Sequence, residues 1–236
     1  MRSAVDIRNK WALVTGASRG IGRHVARALA ERGCNLVLHS RTLAHTAALE
    51  HELAAFGVKV ATVAAELSQQ SDVDRMLEQT RSLSPGIDIL FNNAAIMTPY
   101  RDAFELTPAD EYRLSFEVNV VSAIRITFGL LPHMRAQAWG RIVQVTSGIA
   151  DEPELLPYSL SKAALDRFVR DTVPTLRGSG VLMNLLDPGW LRTDLGGPDA
   201  PNAVESVLPG ALAPVLIDGE VHGVLFRAQD HGTPRP

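Results

Sequence analysis

From Trp11 to its last third, the chain alternates short, β-rich apolar runs with longer stretches of helical periodicity. No other feature constrains the fold as strongly. Strand candidates fall at Trp11–Thr15, Asn35–His39, Val58–Val63, Ile87–Phe91, Arg141–Thr146 and Val181–Leu186, with a seventh at Val221–Arg227. Helical patterns lie between them, near Ile21–Arg32, Leu43–Phe56, Ser71–Leu83, Pro108–Gln137 and Pro157–Leu176, with a short one around Val204–Leu216. Strands alternating with helices imply parallel strands and right-handed crossovers. Runs that are apolar throughout, not only at every second residue, fit a sheet covered on both faces. The expectation is an α/β fold, a doubly wound parallel sheet of about seven strands flanked by helices (Rossmann-like), in a single domain over 1–236. Pro108 suits the first turn of its helix. Pro174 falls inside a helical pattern, so a kink or an early end is expected there.

Composition removes several function classes. Lys and Arg total 23 against 26 Asp and Glu, a net charge of -3, which gives no basic footprint for nucleic acid. Cys34 is the only cysteine, so no internal disulfide forms. That is compatible with a reducing cytoplasm, the location expected here. Met1–Lys10 lacks the apolar core of a signal peptide, and no run of 18 apolar residues predicts a membrane span. No metal site is expected.

A glycine loop, Thr15-Gly16-Ala17-Ser18-Arg19-Gly20-Ile21-Gly22, follows the first strand and opens the first helix. Glycines allow a tight turn and close approach of backbone to a phosphate, and a helix N-terminus offers free N–H donors. The spacing is G-x-x-x-G-x-G, not the commoner G-x-G-x-x-G. A structural turn alone would also account for three glycines. Their place at the start of a strand–helix–strand pattern favours a nucleotide. At the end of the second strand, where dinucleotide folds select the adenosine ribose, the sequence reads Leu38-His39-Ser40-Arg41 and carries no acid. Arg19 and Arg41, with Ser40 donating a hydrogen bond, suit a 2′-phosphate. Two solvated surface arginines are the plain alternative. The reading is NADP(H), with NAD(H) second.

Tyr158 and Lys162 lie one helical turn apart in Pro157-Tyr-Ser-Leu-Ser-Lys-Ala-Ala-Leu165. A nearby cation favours phenolate, so the pair reads as a general acid/base for a carbonyl or an alcohol. Ordinary amphipathic helices carry the same spacing, and the chemistry needs its surroundings to confirm it.

Those surroundings exist in the sequence. The glycine loop, Asn92-Asn93-Ala94-Ala95, Asn119 within Phe116–Val120, Ser147 at the end of Arg141–Ser147, the Tyr158/Lys162 pair and Asp187–Thr193 occur in an order that resembles the short-chain dehydrogenase/reductase family, in its single-domain form. The resemblance runs from about Trp11 to Arg227. It implies Tyr158 as acid/base, Lys162 as the group that lowers its pKa and holds the nicotinamide ribose, and Ser147 as the group that polarises the substrate carbonyl. It implies Asn119 holding a water behind the lysine, Asn92 bracing the sheet, and Asn93, Ala94 and Ala95 lining the cofactor. Gly16, Ser18, Arg19, Gly20, Ile21 and Gly22 would cradle its phosphates, Glu66 and Leu67 its adenine. Pro188, Gly189 and Thr193 would close over the nicotinamide, in a short substrate lid near 188–216.

The sequence departs from the family pattern in places. Ser147 and Tyr158 are eleven apart, one or two fewer than the family pattern, and the loop between them carries Asp151, Glu152 and Glu154. Ala95 replaces a glycine. Glu66-Leu67 stands where an Asp-Val or Asp-Leu usually meets the adenine. Met97, Ile149, Leu155 and Trp190, with Tyr100 and Leu195, are the candidate substrate walls, and they suit a hydrophobic ketone or aldehyde. Arg101 and Arg192 would instead favour an acidic substrate if they faced the pocket. The stretch Pro188–Pro201 looks most similar to carbonyl-reductase-like members. A homodimer or homotetramer, through the helices near 108–137 and after Tyr158, is the assembly the resemblance implies. An NAD-linked alcohol or hydroxysteroid dehydrogenase, and a non-catalytic redox sensor, are the competing functions.

Overall fold

The computed structural model describes residues 5–231. The first four residues read above for a leader lie outside them. Seven parallel strands form one sheet in the order β3-β2-β1-β4-β5-β6-β7. They are β1 (Trp11–Val14), β2 (Asn35–Ser40), β3 (Val60–Ala64), β4 (Ile89–Asn92), β5 (Gly140–Val145), β6 (Val181–Asp187) and β7 (Leu225–Arg227). The order reverses between β1 and β4, whose registers place Val14 beside Phe91. The connections that follow these two strands depart to opposite faces and leave a crevice at their carboxyl ends. Both faces are covered, which is why β1, β4 and β5 are buried at every residue. One core packs around Leu29, Leu38, Phe91 and Leu212, the other around Leu13, Met76, Leu90 and Met183.

The helices that carry the site are α1 (Gly20–Ala30), α2 (Ala47–Ala54), α3 (Gln70–Leu83), α4 (Ala109–Phe116), α5 (Ser122–Ala136) and α6 (Leu156–Thr172). The Pro108–Gln137 helix differs from expectation in one respect. It is continuous over 28 residues, Ala109–Ala136, but Glu117–Val121 winds as a π-helical turn. Pro108 caps it from outside and does not occupy the first turn. By length and composition this helix is apolar enough to cross a membrane, a property the sequence reading missed. Just over half of its most apolar window, 56%, is buried inside the protein, as in a core helix.

The helix holding Tyr158 does end early. It passes into a 3₁₀ turn at Val173–Leu176, because Pro174 has no N–H to continue it. The seventh strand is shorter than read and covers only Leu225–Arg227. The Val204–Leu216 stretch is not one helix. It breaks into 3₁₀ turns at Val204–Val207 and Gly210–Leu212 and one helical turn at Ala213–Leu216, interrupted by Pro209.

Candidate active site

A cleft of about 1450 Å³ runs along the carboxyl ends of the strands. The glycine loop forms its floor. Gly16 has φ +65, and an added Cβ would lie 3.0 Å from the Ala94 Cα. At Gly22 a Cβ would lie 2.3 Å from the Gly16 carbonyl oxygen, so α1 can start this close to β1 only without a side chain. Asn93 ties the loop to β4 from the other side. Its Nδ2 donates to the Thr15 carbonyl (2.9 Å) and the Gly16 carbonyl (3.3 Å), while its backbone N–H and that of Ala94 both donate to Thr15 Oγ1 (3.0 Å each). The first-turn amides of α1 have no intrahelical partners, and Gly20 and Ile21, which carry two of them, line the cleft.

His39, at the end of β2, supports the loop from below, a role the sequence reading did not give it. The Gly16 N–H donates to its Nδ1 (3.2 Å), and its Nε2 reaches the Ala65 carbonyl (3.1 Å). That pattern fixes the neutral tautomer with the proton on Nε2. Burial pushes the imidazole pKa down to about 4, against a weaker opposing pull from the Ala65 carbonyl and Glu66.

Ser18, Arg19, Gly20, Ile21, Ser40, Arg41, Glu66 and Leu67 all border the adenosine half of the cleft. Three of them do not stand as read. Ser40 is buried, and its hydroxyl donates to the Thr42 carbonyl (2.7 Å), so its proton is not free for a phosphate. Glu66 turns one carboxylate oxygen back onto Ser68, accepting from its N–H and hydroxyl (3.2 Å each). Arg19 pairs with Asp194 across the cleft (2.6 Å). Arg41 has no ion-pair partner among the described residues.

The chemical end of the cleft lies between the ends of β4 and β5 and the start of α6. Ser147, Tyr158 and Lys162 meet there, although the motifs that carry them lie on different elements. The Ser147 hydroxyl lies near enough to the Tyr158 phenol to pull its pKa down, and it accepts from the Ile149 N–H (3.2 Å). Lys162 Nζ donates to the Val145 carbonyl (2.8 Å) and lies 5.6 Å from the centre of the Tyr158 ring. Tyr158 is 7% exposed and Lys162 4%.

The net shift of Tyr158 is upward, where the sequence suggested a lowered value. Burial pushes the phenol up from its usual value, the Ser147 hydroxyl works against that rise, and Asp187 adds to it. Burial also pushes Lys162 down to about 8, with Asp166 opposing. In both groups burial is the largest cause, because it disfavours the charged form of each.

Asn119 is also placed differently. Its amide is spent on structure: Nδ2 donates to the Ile96 carbonyl and the Ser161 hydroxyl, and Oδ1 accepts from the Ile96 N–H (2.9 Å each). Both amide protons are committed, and the side chain locks the π-helical turn to the loop after β4 and to α6. Asn92 braces α5 against the sheet through the Ala123 carbonyl and Thr127 Oγ1 (3.1 Å each).

Pro188, Gly189, Trp190 and Thr193 follow β6 and form the cleft's roof, with Met97, Ile149 and Leu155 on the facing walls. Trp190 is 58% exposed, and its Nε1–H donates to the Gly196 carbonyl (2.7 Å), which closes this segment on itself. Thr193 Oγ1 accepts from the Gly196 N–H (3.0 Å). The two arginines that would have favoured acidic substrates are otherwise engaged. Arg192 donates to the Ala200 and Pro201 carbonyls (2.9 Å each), and Arg101 pairs with Glu111.

A glycine cradle at the β1–α1 turn, a β1/β4 switch point and a Ser–Tyr–Lys cluster beside it define a dinucleotide-type oxidoreductase fold. The family profile described as short chain dehydrogenase matches residues 10–203. The chain therefore belongs to the short-chain dehydrogenase/reductase family, enzymes that act on CH–OH and C=O groups. It is 32% identical over 191 residues to a D-beta-hydroxybutyrate dehydrogenase of Cupriavidus necator, covering 80% of this chain and 73% of that one. Its fold matches the crystal structure of a 3-oxoacyl (acyl-carrier-protein) reductase from Agrobacterium tumefaciens C58 with NADP bound, at a TM-score of 0.83 and 25% identity, covering 94% of this chain and 93% of the other. An L-sorbose reductase from Gluconobacter frateurii, complexed with NADPH and L-sorbose, matches at a TM-score of 0.83 and 26% identity, covering 94% and 97%.

Proposed function

We propose that this protein is an NADP(H)-dependent reductase of hydrophobic ketones or aldehydes. The observation that carries the reading is the meeting of Ser147, Tyr158 and Lys162 at one end of the cleft. At neutral pH the buried Tyr158 is a phenol, with a proton to give to a carbonyl oxygen. The adenosine end supports NADP(H): no acid stands at the end of β2, and Arg41 has no ion-pair partner among the described residues. Relatives of similar fold are solved with NADP or NADPH.

The residues at hand fit that group, since Gly16 and Gly22 let the loop and the start of α1 close against Ala94 and Asn93 without a side chain between them, and the loop lines the cleft together with Arg41 and Lys162. When bound, the nicotinamide supplies the hydride. Glycine-loop amides and Arg41 would hold its phosphates, and Lys162 its nicotinamide ribose. Ser147 and Tyr158 hydroxyls together bond the substrate carbonyl oxygen, where negative charge develops. The proton on Tyr158 Oη then passes to that oxygen. Met97, Ile149, Leu155 and Trp190 exclude water and present apolar surface to the rest of the substrate.

The 188–216 segment acts as a short lid, in a single-domain cytoplasmic enzyme that assembles as a homodimer or homotetramer. Exposed Leu114, Phe128 and Leu160 on α4, α5 and α6 support that assembly. The test follows NADPH oxidation over a panel of aryl and alkyl ketones, with NADH in parallel. The proposal fails if no carbonyl in the panel drives NADPH consumption, or if NADH is strongly preferred. In the latter case the NAD-linked alcohol or hydroxysteroid dehydrogenase reading takes its place.

A further inference from the structure

Asp166 follows Lys162 by four residues on α6, as Lys162 follows Tyr158. The three side chains therefore lie on successive turns of one helix face. Oδ1 of Asp166 is buried and takes no hydrogen bond among the described residues. Such an atom needs a reason, because a buried unpartnered carboxylate oxygen is costly. The neighbouring Thr146 hydroxyl lies on the carboxylate's side, but the contact falls short of full hydrogen-bond geometry, since Thr146 Oγ1 is also without a bonded partner. Thr146 borders the cleft, one residue before Ser147.

We propose that Asp166 is a positioning residue of the reaction, the remote counter-charge that keeps buried Lys162 an ammonium facing Tyr158. The proposal rests on the reductase reading for its purpose, though not for its test. The other groups around the ammonium do not supply this charge. From β5 it meets the neutral Val145 carbonyl. From the π-helical turn, Asn119 bonds neutral Ser161. From the end of β6, Asp187 acts on Tyr158 and on Asp166 and raises the pKa of each. On α6 itself, Asp166 is the one group that opposes the burial of Lys162, and Lys162 and exposed Arg170 both pull the Asp166 carboxyl down against its own desolvation. Lys162 and Asp166 are coupled without forming a contact ion pair among the described residues. This spacing stabilises the charge without drawing the ammonium away from the tyrosine.

The sequence makes a direct test practical, because the chain has three lysines, Lys10, Lys59 and Lys162. Protein carrying ¹³Cε-lysine gives three resonances, assigned with Lys10→Arg and Lys59→Arg, and each is titrated between pH 6 and 11. The parent Lys162 midpoint is expected near 8. In Asp166→Asn it falls by roughly half a unit, less than the 1–3 units expected of a contacting pair. Asp166→Glu restores it, and Arg170→Gln does not lower it. A Lys162 midpoint unchanged in folded Asp166→Asn overturns the proposal. So does an equal fall in Arg170→Gln, which would make Asp166 only that arginine's surface partner. Should Asp166→Asn not fold, Asp166→Glu and Arg170→Gln still decide between the two roles through the same resonance. Because this experiment uses no substrate, it stands apart from failure of the reductase assignment, which the ketone panel reads. Where turnover is found, the alkaline limb of the kcat/KM profile is expected to move to lower pH in Asp166→Asn, with its plateau retained.

Discussion

Arg19 Nη1 and Asp194 Oδ2 lie 2.6 Å apart and join the glycine loop to the segment after β6. The pair spans the mouth of the cleft, and Thr193 packs beside Gly20 at the same place. A guanidinium engaged there is not the natural reader of a distant 2′-phosphate. The two arginines read from the sequence thus divide: Arg19 joins the roof to the floor, and Arg41 faces the adenosine end without an ion-pair partner among the described residues.

Arg41→Ala is therefore expected to raise the KM for NADPH about tenfold to a hundredfold, the worth of one or two charge-assisted hydrogen bonds, and to leave the KM for NADH nearly unchanged. Arg19→Ala is expected to weaken both cofactors by a similar factor, with Asp194→Ala reproducing much of its effect. Paired NADPH and NADH titrations check this. If Arg19→Ala alone erases the preference for NADPH, the division is wrong.

Tyr158→Phe keeps the ring in its buried slot and removes only the hydroxyl. Turnover is expected to fall about 10²- to 10⁴-fold, the usual contribution of one positioned acid. NADPH binding, followed by nucleotide fluorescence, should persist. Ser147→Ala is expected to lose about 10²- to 10³-fold, because it removes one donor to the developing oxyanion. Equal turnover of Tyr158→Phe and the parent would remove the tyrosine from the chemistry.

Much of this was legible in the sequence because periodicity and motif order are local properties. Strand–helix alternation predicts the parallel sheet, and glycine spacing predicts the β1–α1 cradle, since each depends on neighbours within a turn or two. Three features were not legible, for a shared physical reason. The sign of the Tyr158 shift depends on how deeply the finished fold buries both members of the pair, and helix spacing carries no information on burial. The spent amide of Asn119 depends on Ile96 and Ser161, residues 23 and 42 positions away. The partner of Arg19 lies on the far side of the sheet's switch point. His39 had a faint signal, a histidine in an otherwise apolar strand, but its purpose needs the Gly16 N–H that only the folded loop brings to it.

Lys162 gives a stability prediction of opposite sign to its functional one. Its pKa falls from the ordinary 10.5 to about 8 in the folded chain. At neutral pH that shift is a burial penalty of about 3 kcal/mol. The Val145 hydrogen bond returns about 1 kcal/mol of it. Lys162→Met fills similar volume without a charge, so it is expected to raise the melting temperature by roughly 4–8 °C for a net gain of about 2 kcal/mol, while turnover is lost. Calorimetry at pH 7 reads the first and NADPH oxidation the second. A melting temperature clearly below the parent's would mean that the lysine is needed for the fold.

His39 sets the acid limit. Its folded pKa, about 4, lies below the ordinary 6.5, so between those values the unfolded chain binds a proton that the folded chain refuses. Stability must then fall as pH falls. The contribution is complete above pH 6.5 and is lost progressively toward pH 4, a total of about 3 kcal/mol. Protonating Nδ1 also removes the acceptor of the Gly16 N–H, so the loss begins at the glycine cradle and NADPH affinity should weaken over the same window. His39→Gln, which cannot titrate, is expected to be less stable than the parent at pH 7 and to approach it at pH 4.5. Urea denaturation of the two proteins across that range measures the convergence. If the gap between them stays constant with pH, His39 does not titrate in this window, and the acid limit must be sought among the carboxylates.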